Sequence, residues 1–435
     1  MTRARLDGLQ MLVLGSVFFI AIGVMMEITN PLGMTDFEEI YYAARSAAHH
    51  SDPYVPDQVA AVYKADNGSL PADTGVSHTK RLIIFICSNL PTTLFLVAPL
   101  AALPWKIAAA IWMMLIATAF IVACFLVWKI GADEAPRIYG GLLCLLLVNS
   151  GLFLCAGNTA GLVVSLSVIA VCCFLRDRLV IAGVVCLAIA LAMKPHDAGA
   201  VWLYFLLVGG VHRKRALQSL ALTALIAVAA TLWVSHAAPH WYQELHANLQ
   251  AAMLPGGRDN PGPTTQGGRG IGMIISLQAI LSLIRDNATF YNLTAYILCA
   301  PLAILWCVKT LRSGFSTRLA WFGLAAISAI AMLPVYHRTY DARLLVLAVP
   351  ACAMLWKEQR ALGRAALLLT IAAIVLTGDI LWIVFFQITH YSGWAVVFGM
   401  FPAPIALLAG GIFFLRVYLK TRAESPLKST PASAG

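Results

Sequence analysis

Charge is scarce in this chain: 11% of its 435 residues are Asp, Glu, Lys or Arg, and only 20 are acidic. A soluble globular domain carries about 25% charged residues, so the scarcity excludes a soluble enzyme, a coiled coil and a disordered chain. Metal-ligand spacings are missing too. There is no HExxH, no CxxC and no Cys/His cluster, so neither a zinc nor a redox role finds support. All ten cysteines (87, 124, 144, 155, 172, 173, 186, 299, 307 and 352) fall inside apolar stretches and read as small core hydrophobes. A Walker-type phosphate loop is absent, as is any soluble nucleotide domain. No metal and no cofactor are expected, and an enzyme here must take an activated substrate from the membrane itself.

What the chain has in excess is apolar surface. Hydrophobic residues make up 60%, the mean hydropathy is +0.81, and runs of spanning length recur from Leu9 to Arg416. About 20 apolar residues cross a bilayer core, so the expected class is an all-α polytopic membrane protein. The first run, 9–26, follows Arg3 and Arg5 without a small-x-small cleavage site and reads as a membrane helix with its N-terminus in the cytoplasm. The formal charge of +10 is spread over small clusters beside apolar runs, such as Arg3/Arg5, Arg213-Lys214-Arg215, Lys309/Arg312 and 416–422. Nucleic-acid binding needs a continuous basic stripe, and none exists. The clusters fit cytoplasmic loops instead.

Loop composition sets the expected topology. The acid-rich stretch 27–81 and the Gly/Pro-rich stretch 236–286 belong outside. Counting every apolar run as a crossing would leave Arg213-Lys214-Arg215 outside as well, so one run must dip. The run 82–103, interrupted by Pro91 and Pro99, is the expected broken helix. The run 271–284 reaches only about 21 Å at 1.5 Å per residue and lies along the outer surface. About 12 crossings remain, forming one membrane domain over 1–420 with short interfacial helices in its outer loops. The Ser/Thr/Pro/Ala-rich tail 421–435 is expected to be disordered and cytoplasmic.

Ionisable groups at the membrane edge are functional candidates. The first set follows the first helix. Thr35 and Glu38 read as a capping box opening a helix over 36–49, with Asp36 in its first turn, where the dipole favours a carboxylate. A carboxylate there suits a general base; the plainer reading is a helix start. The second set, 336–343, holds His337, Arg338, Asp341 and Arg343. Its guanidinium forks match phosphate oxygens, although pairing with Asp341 alone would also account for them. The third is Lys194-Pro195-His196-Asp197, where Lys194 either contacts a phosphate or snorkels to the interface. In the Gly/Pro-rich loop, Arg258 and Arg269 are further candidate ligands, and the loop reads as a lid or as a structureless connection.

In order along the chain, these residues resemble glycosyltransferase family 87 of the GT-C superfold. Thr35-Asp36-Phe37-Glu38-Glu39-Ile40-Tyr41-Tyr42-Ala43-Ala44-Arg45 followed by Asp52-Pro53-Tyr54 is similar to the family's S-D-F-x-x-Y-Y-x-A-x-R…D-P-Y entrance. Asn89-Leu90-Pro91, then Pro99 to Pro104, resembles its Y-P-P…P-L-A-x-L-P stretch, with Asn-Leu in place of Tyr-Pro. Gly157-Asn158 stands where the family often has G-Q-x-N, without the glutamine. Lys194-Pro195 matches its K-P turn, and His337 to Asp341 its H-x-x-Y-D segment.

The resemblance implies a GT-C bundle and an inverting transfer of a hexose, mannose most often, from a polyprenyl-phosphate donor to a glycolipid or glycan acceptor. Asp36 would be the base. Lys194, His337, Arg338 and Arg343 would hold the donor phosphate. Glu39, Tyr41, Tyr42, Tyr54, Asn158, Arg258 and Asp341 would line the substrate groove, with Trp241 as a further stacking surface. Membrane lipids and the lipid donor are the implied partners, in a bacterial inner membrane with the site facing the periplasm. Two other readings stay open: a lipid-linked oligosaccharide ligase or polymerase, and a secondary transporter or flippase, which requires ionisable groups at mid-membrane and matched broken helices in two halves.

Overall fold

The computed structural model describes residues 2–72, 75–255, 257–262, 274–381, 383–384 and 401–422. The all-α membrane class holds: among the described residues there is no named strand, and the sole pairing of strand type is an isolated bridge between Ile274 and Arg338. Seven described helical stretches, from Arg3–Thr29 to Pro402–Lys420, are long and apolar enough to cross a membrane, and four shorter apolar helices accompany them. Residues 385–386 and 395–400 of the last two expected crossings, with the loop 387–394 between them, lie outside the described residues, as do Arg269 and 423–435 of the tail.

In lipid, apolarity alone does not bring helices together, so close packing of small residues does much of that work. The Arg3–Thr29 helix shows how. It turns Gly8, Gly15 and Gly23 inward and leaves Val13, Leu14, Val17 and Phe18 exposed to the surroundings. Facing it is the Pro136–Val148 helix. A Cβ on Gly8 would stand 2.4 Å from the Pro136 carbonyl oxygen, and one on Gly15 would stand 2.8 Å from the Cys144 Cα. The backbones touch because these positions lack side chains.

The break expected in 82–103 is present. A helix over Gly75–Phe85 ends, and a second over Pro91–Ala101 begins with Pro91 in its first turn, where the missing N–H costs nothing. The intervening segment carries Ser88 and Asn89, both half-buried. The expected helix over 36–49 forms as Thr35–Ala48, but without its capping box. Met34 caps it in the left-handed region (φ 56°) and no side chain caps the end. Thr35 Oγ1 instead donates to the Leu32 carbonyl at 2.9 Å, and Lys80 draws Glu38 into an ion pair at 3.0 Å. Phe37, stacked 4.8 Å from Trp112 and 5.6 Å from Trp105, anchors the helix against the Trp105–Gly131 span.

The run 271–284 yields a helix over only Leu277–Ile284, about 12 Å long at 1.5 Å per residue and too short to cross. Backbone bonds from Ile275 to the His337 carbonyl and from Leu277 to the Leu333 carbonyl, both 2.9 Å, tie its entry to 333–338. That segment continues into a 3₁₀ helix over Thr339–Leu347 and then the Ala348–Glu358 helix.

Candidate active site

A cavity of about 110 Å³ gathers residues from five distant parts of the sequence: Asp36 and Glu39, Ser88 and Asn89, Asn158, Arg258 and Asp259, and Tyr336, Arg338 and Tyr340. The Thr35–Ala48 helix delivers Asp36 and Glu39, the break before Pro91 delivers Ser88 and Asn89, and the segment 333–338 with the 3₁₀ helix after it delivers Tyr336, Arg338 and Tyr340. Asn158 follows Gly157, which adopts φ 65°, a conformation that glycine enters without steric cost. A Cβ there would also stand 2.8 Å from Phe37. Trp112 Nε1 donates to the Gly157 carbonyl at 2.7 Å and fixes the turn. The Asn158 amide then donates from Nδ2 to Asp36 Oδ2 at 2.7 Å, while its Oδ1 accepts from the Ala160 N–H at 2.8 Å. One Asp36 oxygen is thus held from behind.

Opposing charges line the cavity. Glu39 is 4% exposed and accepts from the Ser88 N–H and Asn89 Nδ2, both at 2.9 Å. Arg258 grips it with two nitrogens, Nη1 to Oε2 at 3.0 Å and Nη2 to Oε1 at 3.3 Å, and also bonds the Ser88 hydroxyl. Burial pushes the Glu39 carboxyl above its ordinary range, with Arg258 and the Ser88 N–H pulling the other way. Asp259 takes the Tyr336 hydroxyl at 2.7 Å and Arg338 Nη2 at 2.9 Å. Burial works against its charged form, but Arg258 and Arg338 outweigh burial and hold the carboxyl below the usual range. Arg338 commits Nη2 also to the Arg258 carbonyl at 3.2 Å and Nε to the Tyr336 hydroxyl.

A second cluster braces this wall from behind. Lys194 pairs with Asp341 and, at 3.0 Å, with Asp197. Asp341 Oδ2 accepts the Arg338 backbone N–H at 2.7 Å, so the Lys194–Asp341 pair sets the register of the arginine. His337 is 1% exposed. Its Nε2 lies 3.2 Å from Asp197 Oδ1 and its Nδ1 lies 3.1 Å from the Val335 carbonyl. Burial would lower its pKa, yet the hydrogen bond and charge of Asp197 win and raise it. His196, Asp197 and His337 offer ligand atoms within 4.8 Å of one another, and Lys194 pairs with the Asp197 oxygen that does not face His337.

Of the residues singled out in the sequence, Asp36, Glu39, Asn158, Arg258 and Arg338 meet in the cavity. Lys194, His337 and Asp341 stand behind it. Arg343 lies elsewhere in the core, bonded to the Thr377 carbonyl and 4.0 Å from Asp379. Tyr41, Tyr42 and Tyr54 are buried as packing: Tyr41 donates to the Leu103 carbonyl at 2.7 Å and Tyr54 to that of Asn89 at 3.0 Å, while Tyr42 accepts from Asn67 at 2.7 Å. Trp241 packs 6.5 Å from Tyr54 and donates to Ser235. Sequence reasoning missed Asp259, Tyr336 and Tyr340 as lining residues. Their signal was adjacency, since each neighbours an arginine already singled out or shares its segment.

Residues 89–291 match the family model of glycosyltransferase family 87. The match covers a little under half of the chain and makes it similar to that family. No curated protein and no solved structure matches it. The matched stretch carries Asn89, Asn158, Arg258 and Asp259, and the fold brings Asp36 and Arg338, which lie outside the match, into the same cavity. With its spanning helices the chain reads as an integral membrane protein, and the match over 89–291 supports a membrane glycosyltransferase.

Proposed function

We propose that the cavity transfers a hexose, mannose by family resemblance, from a polyprenyl-phosphate donor to an acceptor hydroxyl with inversion, at the periplasmic face of a bacterial inner membrane. The observation that carries this reading is the placing of the Asp36 carboxylate and two arginines, Arg258 and Arg338, on the walls of a single cavity. Asp36 keeps one oxygen on Asn158 and the other free of protein donors among the described residues, so the free oxygen accepts the acceptor's proton as the C–O bond to the sugar forms. The leaving group is a lipid phosphate monoester. Among the described residues, Arg338 has used Nε and Nη2 but not Nη1, which leaves two N–H groups for phosphate oxygens. Arg258 meets the same phosphate by exchanging part of its grip on Glu39. Charge stabilisation and alignment of this kind supply much of a transfer whose leaving group is already an anion.

The test is transfer of radiolabelled mannose from synthetic polyprenyl-phosphate-mannose by purified protein beside Asp36→Asn. A general base contributes about 10²–10⁴-fold. The expected result is a loss of that size in kcat with donor binding retained. Transfer that survives in the variant removes Asp36 from the role.

A further inference from the structure

A second cavity, of about 550 Å³, lies between the Thr317–Ile330, Ala348–Glu358, Arg360–Leu376 and Pro402–Lys420 helices. It shares no residue with the catalytic cavity. A single continuous stretch joins the two. Tyr340 lines the catalytic cavity near the start of Thr339–Leu347, and Glu358 lines the second at the end of Ala348–Glu358. Nine 3₁₀ residues at about 2.0 Å and eleven α-helical residues at about 1.5 Å span roughly 35 Å, a little more than a bilayer core. The second cavity therefore opens at the other membrane face. Lys309, Arg312, Arg360 and Arg364 crowd the same end, which the positive-inside rule puts in the cytoplasm.

Its lining is basic on one side and apolar on the other. Arg318, Arg416, Lys420 and Arg422 contribute four positive charges against the one negative charge of Glu358, a net of +3 (4 − 1). Arg318 is already paired with Glu358 at 2.9 Å. Arg416, Lys420 and Arg422 have no ion-pair partner among the described residues. Leu362, Phe413 and Val417 form the apolar wall. Unpaired cations beside an apolar wall at the cytoplasmic interface match a phosphodiester headgroup with its acyl chain.

We propose that this cavity binds the headgroup of an anionic phospholipid of the cytoplasmic leaflet, at the face opposite the transfer site. Phosphate oxygens meet Arg416, Lys420 and Arg422, and an acyl chain lies along Phe413. The lipid then ties Pro402–Lys420 to the helices carrying Arg318 and Glu358. The proposal is independent of which sugar or acceptor the active site takes.

The experiment is native mass spectrometry of the full chain in detergent with added phosphatidylglycerol, phosphatidylcholine or inorganic phosphate. Wild type should retain phosphatidylglycerol in preference to phosphatidylcholine, and excess inorganic phosphate should not displace it. Two basic residues near a membrane surface together account for roughly tenfold or more in affinity for an anionic lipid, so Arg416→Gln/Lys420→Gln should lose at least that. Lys214→Gln, in a basic cluster outside the cavity, should retain the lipid. Should the double variant fail to elute as folded protein, Lys420→Gln alone should show a partial loss of retention. Equal retention of the two lipids, displacement by inorganic phosphate, an equal loss in Lys214→Gln or unchanged retention in the cavity variants each overturns the proposal.

Discussion

Replacing Arg258 with Gln separates what the arginine does for the fold from what it does for the donor. Arg258 is paired with a carboxylate, Glu39, that is 4% exposed. Removing one partner of a buried pair costs about 3–5 kcal/mol. The lower end applies because Glu39 keeps the Ser88 N–H and Asn89 Nδ2 at 2.9 Å. Burial already raises the Glu39 pKa above 4.5, and Arg258 opposes that rise, so deleting the arginine raises it further. A carboxyl whose folded pKa exceeds its unfolded one contributes stability that is complete below the unfolded value and is lost as pH rises through the folded value. The deficit of the variant is therefore small near pH 4.5 and largest in alkaline buffer. Thermal unfolding in detergent across that range measures it, and Glu39→Gln in the same background should reduce the deficit. In transfer assays, one charge-assisted bond to the donor phosphate contributes about 1.5–3 kcal/mol, a 10- to 150-fold fall in kcat/KM. A pH-independent deficit refutes the Glu39 linkage. Loss of stability with unchanged kcat/KM refutes the phosphate contact and leaves Arg258 as a strut.

Three further outcomes follow from the same geometry. Asn158→Leu removes the 2.7 Å bond to Asp36 and should lower kcat by roughly tenfold or more while KM for the donor changes little, since an unmet polar group costs about 1–3 kcal/mol; a change confined to KM contradicts the positioning role. The raised pKa of His337 makes its pairing with Asp197 fully stabilising below pH 6.5 and lost as pH rises through the folded value, so the unfolding midpoint should fall in that window and the fall should flatten in Asp197→Asn. Gly15→Leu drives a side chain toward the Cys144 Cα, 2.8 Å from where its Cβ would stand, and overpacking costs about 1–3 kcal/mol. Gly141→Ala, whose Cβ would stand 4.0 Å from the Met11 sulfur, should leave the midpoint unchanged or higher; equal losses in both variants would rule out backbone contact as the cause.

Much of the bundle was legible because lipid imposes simple rules. Apolar length marks the spans, and Pro91 marks the break in the 82–103 run. The site was legible where a charged residue had to be explained at a membrane edge. Asp36, Arg258 and Arg338 are costly there without partners, and the fold supplies partners in one cavity. Arg343 satisfied the same sequence criterion for a different reason, since a buried arginine paired with Asp379 also looks like a charge near a membrane edge. Tyr41, Tyr42 and Tyr54 show the matching ambiguity for aromatics. A ring beside a helix can face a sugar or a neighbouring backbone carbonyl, and only the tertiary contact separates the two. The capping box failed because Thr35 and Glu38 found stronger partners in the Leu32 carbonyl and Lys80, both set by tertiary packing. The spacing of residues thus identified which groups needed an explanation, while the choice between catalytic partner and structural partner came from the packing of helices distant in sequence.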